Sequence, residues 1–377
     1  MVKKFEIIAT CTFGLEGVLK REVTHLGFEK PRTENGRVIF AGTCEDIARA
    51  NISLRTADRV LVKIGEFESL TFDELYEKTK ALPWENWVGP KDSFPVAKAT
   101  SVKSRLFSKS DCQKIVKKAV VDRLKGKYHI EWFKETEEKF PIHINILKDI
   151  AVLSIDTSGR GLNKRGYRAE GNEASIKETL AAALVLLSGW RRDKKLIDPF
   201  CGSGTILIEA AMFGLDIKPG INRSFISETW SEEFKIAYAK MKKELSVCKD
   251  YGKLDIQGWD LDKKSLATAM QNAEIAGVKD HIKFIEKDAR SISELEDSGV
   301  IIANPPYGDR MMNKKEVEKL YQDLGESYKK LKGWSFNVIT GHLEFERHFK
   351  RKASKNRKLY NGNLLTYFYQ FQSNFKR

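Results

Sequence analysis

Alternating and helical hydrophobic patterns run through the first sixty residues. Phe5 to Thr10 alternates like a strand. Helical and strand patterns then follow in turn, over 15–26, 37–40, 45–53 and 59–64. This β-α-β-α-β order is typical of a ferredoxin-like unit. We therefore predict an N-terminal ferredoxin-like domain over residues 1–64.

A second α+β unit follows over residues 65–157. Its pattern predicts helices over 72–81 and 110–125 and extended segments over 94–100, 142–147 and 151–155. The segment from Lys98 to Lys127 contains ten Lys or Arg residues but only two Asp residues. Although a solvated helix face is the common explanation of a charge run, this imbalance favours a nucleic-acid surface. The residues predicted to contact RNA there are Lys103, Arg105, Lys109, Lys114, Lys117 and Lys118.

Residues 158–171 are rich in Gly and Arg, which predicts a basic linker whose Arg165 and Arg168 also contact RNA. From residue 172 to 377 short apolar strands alternate with helices. The strands are predicted over 196–198, 256–259, 282–285, 300–303 and 336–340. Such alternation indicates a mostly parallel, doubly wound sheet. A hairpin around Asn361-Gly362 adds an antiparallel strand at the C-terminal end.

Composition narrows the class of protein. Lys and Arg number 66 and Asp and Glu 52, and the net charge of +14 favours a polyanionic partner, nucleic acid before a membrane surface. The longest apolar run, 180–187, is too short to span a membrane. The five Cys form no C-x-x-C pair, the six His show no metal-ligand spacing, and the N-terminus fails as a signal peptide. We expect a cytoplasmic protein without a metal, a disulfide framework or a membrane anchor.

A glycine turn follows the first strand of the parallel sheet, in Asp198-Pro-Phe-Cys-Gly-Ser-Gly-Thr205. Gly202 and Gly204 allow a tight turn and a close approach of backbone to a ligand. The P-loop is excluded because no Gly-Lys-Ser/Thr follows. Asp198 would repel a diphosphate but suits the ammonium group of S-adenosylmethionine, so Asp198, Phe200 and the two glycines are candidate cofactor residues. A purely structural turn remains the alternative.

Two further acids follow later strands. Asp260 can accept hydrogen bonds from ribose hydroxyls, and Asp288 from an adenine amino group. For each, a helix cap or loop carboxylate is the alternative. Asp198 and Asp260 are 62 residues apart, which predicts a helical insertion over about 216–252.

The most specific motif is the apolar strand 300–303 followed by Asn304-Pro305-Pro306-Tyr307. The prolines stiffen the backbone and offer no N–H donors. The Asn304 amide oxygen and the Pro305 carbonyl can hold both N–H groups of an exocyclic amine, while the Tyr307 ring stacks on the base. Positioning and electrostatics would then direct the nitrogen lone pair to an electrophilic methyl group without a general base. A rigid strand-to-loop exit is the structural alternative.

Asp-Pro-Phe-Cys-Gly-Ser-Gly-Thr at 198–205 and Asn-Pro-Pro-Tyr-Gly-Asp-Arg at 304–310 resemble the bacterial 23S rRNA guanine-N2-methyltransferases that contain a THUMP domain. The stretches 158–168 and 177–183 are also similar to this family. The resemblance implies a THUMP RNA-binding domain over 65–157 and a Rossmann-like class I methyltransferase domain over 172–377. It further implies S-adenosylmethionine as the methyl donor and the guanine 2-amino group as the acceptor.

Three alternatives remain open. Related THUMP enzymes methylate tRNA guanines with a similar motif, so the RNA could be tRNA, although rRNA is favoured. The motif can also hold adenine N6. Finally, the chain could be an RNA-binding ribosome-assembly factor with an inactive methyltransferase fold. The oligomeric state is not indicated.

Overall fold

The computed structural model describes residues 3–168, 176–247, 251–307 and 313–373. Within these ranges the strands form two seven-stranded sheets. No helix in the described chain combines the length and the apolar character that crossing a membrane requires. Cys11, Cys44, Cys112 and Cys201 are buried free thiols.

The first sheet contains seven strands from the N-terminal half. They are β1 (Phe5–Thr10), β2 (Arg32–Glu34), β3 (Arg37–Gly42), β4 (Arg59–Glu68), β5 (Val96–Val102), β6 (Ile142–Leu147) and β7 (Ile150–Asp156). Their order is β2-β3-β1-β4-β7-β6-β5. The long strand β4 pairs with β1 on one side and with β7 on the other. The boundary placed between residues 64 and 65 therefore falls inside β4, and the two N-terminal units share one continuous sheet.

Four α-helices cover this sheet. They are α1 (Glu16–His25), α2 (Cys44–Ser53), α3 (Phe72–Lys80) and α4 (Lys109–Tyr128), with a 3-10 turn at Trp84–Asn86. Along α4, Cys112, Val116, Val120 and Leu124 recur every fourth residue and are buried, as the helical pattern predicts. The lysines of α4 consequently lie on its other faces.

The second sheet belongs to the C-terminal half. Its strands are β8 (Lys195–Asp198), β9 (Ile256–Asp260), β10 (Ile282–Glu286), β11 (Gly299–Ala303), β12 (Trp334–Thr340), β13 (Lys355–Asn361) and β14 (Leu364–Phe371). The order is β10-β9-β8-β11-β12-β14-β13. The strands β8 to β12 are parallel, whereas β14 is antiparallel to both β12 and β13, and the β13–β14 hairpin turns at Gly362, where φ is +64°. The predicted Rossmann-like sheet with a C-terminal hairpin is confirmed.

Six α-helices accompany the second sheet. They are α5 (Glu178–Ser188), α6 (Thr205–Gly214), α7 (Glu232–Leu245), α8 (Lys263–Ile275), α9 (Lys314–Lys329) and the short α10 (Phe345–His348). Further 3-10 turns occur at Ile226–Thr229, Lys279–His281 and Ala289–Glu294. Both α5 and α6 are apolar nearly all round and are buried, which is expected of helices enclosed by other layers.

The predicted insertion at 216–252 is helical and docks on the N-terminal half. Its helix α7 packs on α2, where the Asn51 amide donates to the Tyr238 hydroxyl at 2.9 Å. Just before α7, the Trp230 ring stacks on Phe140 with centroids 4.5 Å apart, and its indole N–H donates to the Lys139 carbonyl. The insertion therefore fixes the C-terminal half against both N-terminal units.

The segment predicted as a basic linker is folded into this junction, and the prediction that Arg165 contacts RNA is wrong. Its side chain is 2 % exposed and pairs with Glu209 of α6 at 3.4 Å. It also donates to the Leu162 and Arg55 carbonyls, while the Tyr167 hydroxyl donates to Glu209. A charge buried among these partners is unavailable to a phosphate.

Arg168 is also engaged inside the protein. Its guanidinium donates to the Ile176 carbonyl and to the Thr205 hydroxyl, at 2.9 and 2.8 Å, and lies 3.6 Å from Glu178. With its side chain 15 % exposed, Arg168 braces the starts of α5 and α6 instead of presenting a charge to RNA. Residues 169–171 of the predicted linker lie outside the described residues.

We expect Arg165→Ala to destabilise the protein strongly, because it leaves the Glu209 carboxylate buried without its cation. Breaking one side of a buried ion pair costs about 3–5 kcal/mol, which lowers the melting midpoint by roughly 5 °C or more. Differential scanning calorimetry measures this midpoint. The matched control is Arg160→Ala, because Arg160 is exposed. Equal midpoints for the two variants would contradict the structural role of Arg165.

Candidate active site

The site lies at one edge of the parallel sheet. The strands β8 to β12 point the same way, so their carboxyl ends meet at this edge. From β8 the chain proceeds outward to β9 and β10, and then crosses to β11 on the other side of β8. Ligands of such sheets bind where the strand order reverses in this way. Asp198, Asp260, Asp288 and Asn304 all end or directly follow these strands, so the fold brings the predicted residues to one edge.

The turn after β8 has the conformation that its glycines permit. Gly202 and Gly204 have φ of +50° and +79°, a region that side chains with a Cβ rarely adopt. A Cβ on Gly204 would also lie 3.1 Å from the Cβ of Ala269, so this residue is needed for packing. A Cβ on Gly202 would meet nothing within 4 Å. The backbone at Gly202 therefore borders open space that a ligand can enter.

Asp198 ends β8 with its side chain almost completely buried at 1 % exposure. It accepts a hydrogen bond from the Phe200 backbone N–H at 3.0 Å. Burial, with a smaller contribution from the negative Asp260, raises the pKa of this carboxyl to about 8. Within the described part of the chain no cationic side chain pairs with it. Such a carboxyl is suited to a ligand that brings its own positive charge.

Asp260 ends β9 and holds the glycine turn. One carboxylate oxygen accepts the Gly202 N–H at 2.9 Å, and the other accepts the Asp262 N–H at 2.9 Å. Because a carboxylate has about four acceptor positions, two remain for a ligand. A helix cap was the alternative role for Asp260, but the residue that caps α8 is Asp262. Its side chain accepts hydrogen bonds from the Lys264 and Ser265 backbone N–H groups.

Asp288 has a structural partner that the sequence analysis missed. Its carboxylate accepts two hydrogen bonds from the Arg290 guanidinium, which holds the pKa of Asp288 below its usual value. It also caps the 3-10 turn Ala289–Glu294 by accepting the Arg290 backbone N–H. In the sequence, the only sign of this ion pair is the presence of an arginine two residues after Asp288.

Asn304 directly follows β11 and presents an unused acceptor. Its side-chain oxygen Oδ1 is shielded from solvent and has no hydrogen-bond partner among the described residues. Buried polar atoms are almost always paired, so an isolated acceptor at this edge points to a bound donor. Pro305 is buried beside it. Residues 308–310 of the predicted motif lie outside the described residues.

Tyr321 and Thr340, which the sequence analysis did not assign to the site, support the motif by hydrogen bonds. The Tyr321 hydroxyl of α9 donates to the Pro306 carbonyl at 2.8 Å and lies 3.0 Å from the Thr340 hydroxyl at the end of β12. Tyr307 packs close to Gly341, where a Cβ would lie 3.5 Å from its ring. Tyr321 belongs to the buried face of α9 together with Val317, Leu324 and Tyr328, and such helical spacing predicts burial but does not indicate that the hydroxyl reaches the motif.

The basic surface is partly as predicted. Lys103, Arg105 and Lys109 are exposed before and at the start of α4, and Lys114 and Lys118 are exposed along it. Lys117 differs, because its ammonium lies 2.9 Å from Glu135 and 3.6 Å above the Phe94 ring. The prediction that Lys117 contacts RNA is therefore not supported. Phe107, between Arg105 and Lys109, is 82 % exposed and was not singled out from the sequence.

Family models match nearly the whole chain. The model of the RMKL-like methyltransferase domain matches residues 165–369. That of the RlmL ferredoxin-like domain matches residues 6–61, and that of the THUMP domain matches residues 70–156.

Two curated relatives extend this similarity. The chain is 45 % identical to the “Putative RNA methyltransferase YpsC” of Bacillus subtilis, over 99 % of this chain and 97 % of the relative. It is 33 % identical to the ribosomal RNA large subunit methyltransferase K/L of Syntrophotalea carbinolica, over 95 % of this chain. The match covers 52 % of that relative, so the chain spans about half its length.

Two solved structures have the same fold over almost the whole chain. One is titled “SMU.472, a putative methyltransferase complexed with SAH”, with a TM-score of 0.92, 42 % identity and full coverage of both chains. The other is titled a “predicted N6-adenine-specific DNA methylase” from Listeria monocytogenes, with a TM-score of 0.90, 46 % identity and coverage of 98 % of this chain and 97 % of that one. SAH, S-adenosylhomocysteine, is what S-adenosylmethionine becomes after it gives up its methyl group.

The glycine turn, the strand-end acids and an Asn304 acceptor without a partner among the described residues thus occur in a chain whose three parts match models of a ferredoxin-like, a THUMP and a methyltransferase domain. The chain belongs to the RMKL-like family of S-adenosylmethionine-dependent RNA methyltransferases, with a ferredoxin-like and a THUMP domain in front of the catalytic domain.

Proposed function

We propose that the chain methylates the exocyclic 2-amino group of a guanine in structured RNA, with large-subunit ribosomal RNA as the substrate. The observation that carries this proposal is the shielded Oδ1 of Asn304, which has no partner among the described residues and follows the strand β11 paired with β8. An amino group of a base is the donor that this acceptor lacks.

The reaction needs position more than proton transfer. The lone pair of an exocyclic amine is delocalised into the ring, so the amine is a weak nucleophile. Asn304 Oδ1 and the Pro305 carbonyl accept its two N–H groups, and Tyr307 stacks on the base, which aims the lone pair at the methyl carbon. The C–S bond breaks as the N–C bond forms, and positive charge moves from sulfur to nitrogen, where both acceptors stabilise it. The proton then leaves to solvent.

The cofactor is held by the other strand ends. The Asp198 carboxylate pairs with the ammonium group of S-adenosylmethionine, and the Phe200 N–H keeps this carboxylate in place. Gly202 allows the backbone to approach the ligand, and Gly204 turns the chain into α6. Asp260 uses its free acceptor positions for the ribose hydroxyls. Asp288 accepts from the adenine amino group with the lone pairs that Arg290 leaves free.

The RNA target rests on weaker support than the chemistry. The K/L relative is named for large-subunit ribosomal RNA, but this chain spans only about half of it. The Listeria structure carries an adenine-N6 title, and the same acceptors would hold that amine. Transfer to a tRNA guanine and an RNA-binding assembly role without catalysis are the remaining alternatives.

Nucleoside analysis distinguishes these functions. The purified protein is incubated with methyl-labelled S-adenosylmethionine and either ribosomal RNA or tRNA from a strain that lacks the gene. We expect labelled N2-methylguanosine from ribosomal RNA. Label in N6-methyladenosine would overturn the guanine assignment, label only in tRNA would overturn the ribosomal substrate, and no label in either RNA would favour the assembly role.

Asn304→Ala should lower turnover by about a hundredfold or more, because the amine loses one of the two acceptors that orient it. The dissociation constant for S-adenosylmethionine should change less than about threefold, since Asn304 faces the base. Single-turnover assays and calorimetry measure the two quantities. Asn356→Ala on the exposed strand β13 is the matched control. Wild-type turnover by Asn304→Ala would refute the mechanism.

The affinity for S-adenosylmethionine should rise as the pH rises from 6 to 7.5. The pKa of Asp198 is raised to about 8, so this carboxyl is mostly protonated at pH 6 and must ionise to pair with the ammonium group. Because apparent affinity scales with the competent fraction, we expect an increase of about tenfold or more. The pH range stops at 7.5 because the amino group of the cofactor has a pKa of about 8 and loses its charge above that pH. Calorimetric titrations at each pH measure the effect.

The same titrations with Asp198→Asn provide the control, because the amide keeps the hydrogen bond from Phe200 but has no charge to titrate. The variant should bind weakly with little dependence on pH. A wild-type profile that is flat, or one that the variant reproduces, would remove Asp198 from the cofactor site.

Replacing Lys103, Arg105 and Lys109 together by Gln should weaken RNA binding and flatten its dependence on salt. Each lost phosphate contact lowers the slope of log affinity against log salt by about one. Filter binding at several salt concentrations measures this slope. The matched control replaces Lys263, Lys279 and Lys283 by Gln. These three lysines are also exposed and lie on the β10 side of the second sheet. Identical slopes for the two triple variants would move the RNA surface elsewhere.

A further inference from the structure

Three side chains of the types that commonly bind metals lie close together next to Tyr321, the residue that contacts the motif at 304–307. Glu318 projects from α9, His342 follows β12, and His348 ends α10. One ligand atom from each residue lies within 4.8 Å of the other two. None of the three takes part in the proposed methyl transfer.

The two imidazoles lack the partners that buried polar groups normally have. His342 Nδ1 and His348 Nε2 are shielded from solvent and form no hydrogen bond within the described ranges. His348 Nε2 is 3.8 Å from the Glu318 carboxylate, which is too far for a hydrogen bond. Two unpaired ring nitrogens next to one carboxylate are unusual in a purely structural setting, because buried polar groups are nearly always satisfied.

We propose that Glu318, His342 and His348 together bind one Zn²⁺ ion. Two imidazoles and one carboxylate, with a water in the fourth position, form a common three-residue zinc site. With metal–ligand bonds of about 2.0–2.2 Å, tetrahedral donors are roughly 3.3 Å apart, so the three side chains close in on the ion. Lys314 lies 4.0 Å from the Glu318 carboxylate, but its side chain is 75 % exposed and can turn to solvent.

The ion would tie together the elements that support the catalytic segment. Tyr321, one helical turn after Glu318, donates to the Pro306 carbonyl and contacts the His342 ring edge-on at 5.6 Å. The His342 backbone N–H donates to the Thr340 hydroxyl, which also meets the Tyr321 hydroxyl. Zn²⁺ therefore acts as a positioning group that joins α9 to the loop after β12, away from the reacting atoms.

The sequence analysis expects no metal because the ligands show no recognisable spacing. Glu318 and His342 are 24 residues apart and His342 and His348 are six apart, and the three belong to different elements. The packing of α10 against α9 and the contact of the His342 ring with Tyr321 of α9 bring them together.

Metal titration of the whole chain tests the site directly. The protein is treated with a chelator and titrated with Zn²⁺ by calorimetry, and with Co²⁺ while its visible absorption is recorded. We expect one equivalent to bind, the absorption of a four-coordinate Co²⁺ to appear, and the melting midpoint to rise with Zn²⁺. Glu318→Gln, His342→Ala and His348→Ala should each weaken binding at least tenfold and abolish the Co²⁺ absorption.

The matched control is His25→Ala, because His25 is an exposed histidine on α1 whose ring bonds the Arg21 carbonyl. It should bind the metal like the wild type. Glu318→Gln also guards against misfolding, because this side chain is 26 % exposed on a helix surface, and circular dichroism verifies that its fold is retained. The proposal is overturned if the wild type binds no Zn²⁺, or if any two of the three ligand variants bind it as tightly as the control.

Discussion

The parallel pairing of β8 with β11 is the constraint on which the active site depends. Ile197 lies opposite Ile301, so Asp198 is level with Ile302. Asn304 therefore lies two residues further along the strand direction than Asp198. At about 3.3 Å per residue, this offset is roughly 7 Å along the sheet. The two strands thus bring a carboxyl for the cofactor and an acceptor for the base to the same edge with a gap between them. The next strand, β12, adds Thr340, whose hydroxyl lies 3.0 Å from the Tyr321 hydroxyl, and Tyr321 itself donates to the Pro306 carbonyl of the motif.

The RNA-binding half and the catalytic half are joined by buried polar and aromatic contacts. Trp230 stacks on the second N-terminal unit, Tyr238 bonds with Asn51 in the first, and Arg165 connects the predicted linker to α6 through Glu209. These contacts hold the basic residues around α4 in a fixed relation to the sheet edge. Because phosphate contacts position an RNA without reading its sequence, under the proposed function this relation lets RNA shape select which base reaches Asn304.

Local patterns predicted every strand of the two sheets except the short β2, and they placed the acids and Asn304 at or near strand ends. They could not give contacts between distant residues. Arg165 looked like a solvent-facing charge because its partner Glu209 comes 44 residues later, and Lys117 looked free because Glu135 is on another element. Charge counts show how many cations a segment has and not which of them the fold neutralises. The sharing of β4 by two units was invisible for the same reason, since it depends on pairing with β7.

At the active-site edge, the described residues give Asp198 no cationic partner and give the side-chain oxygen of Asn304 no hydrogen bond. Burial raises the pKa of Asp198 to about 8 from an ordinary value of 3.8, so ionising this carboxyl opposes folding. Stability from this group is fully present below pH 3.8 and is lost as the pH rises towards 8. A cationic ligand reverses the balance, because it stabilises the ionised carboxylate inside the fold. Asn304 is similar, since its side-chain oxygen is shielded from solvent and has no hydrogen-bond partner among the described residues. Under the proposed function, substrate and cofactor complete interactions of groups that the protein has already desolvated, which would make their binding selective for groups of the right charge and hydrogen-bonding pattern.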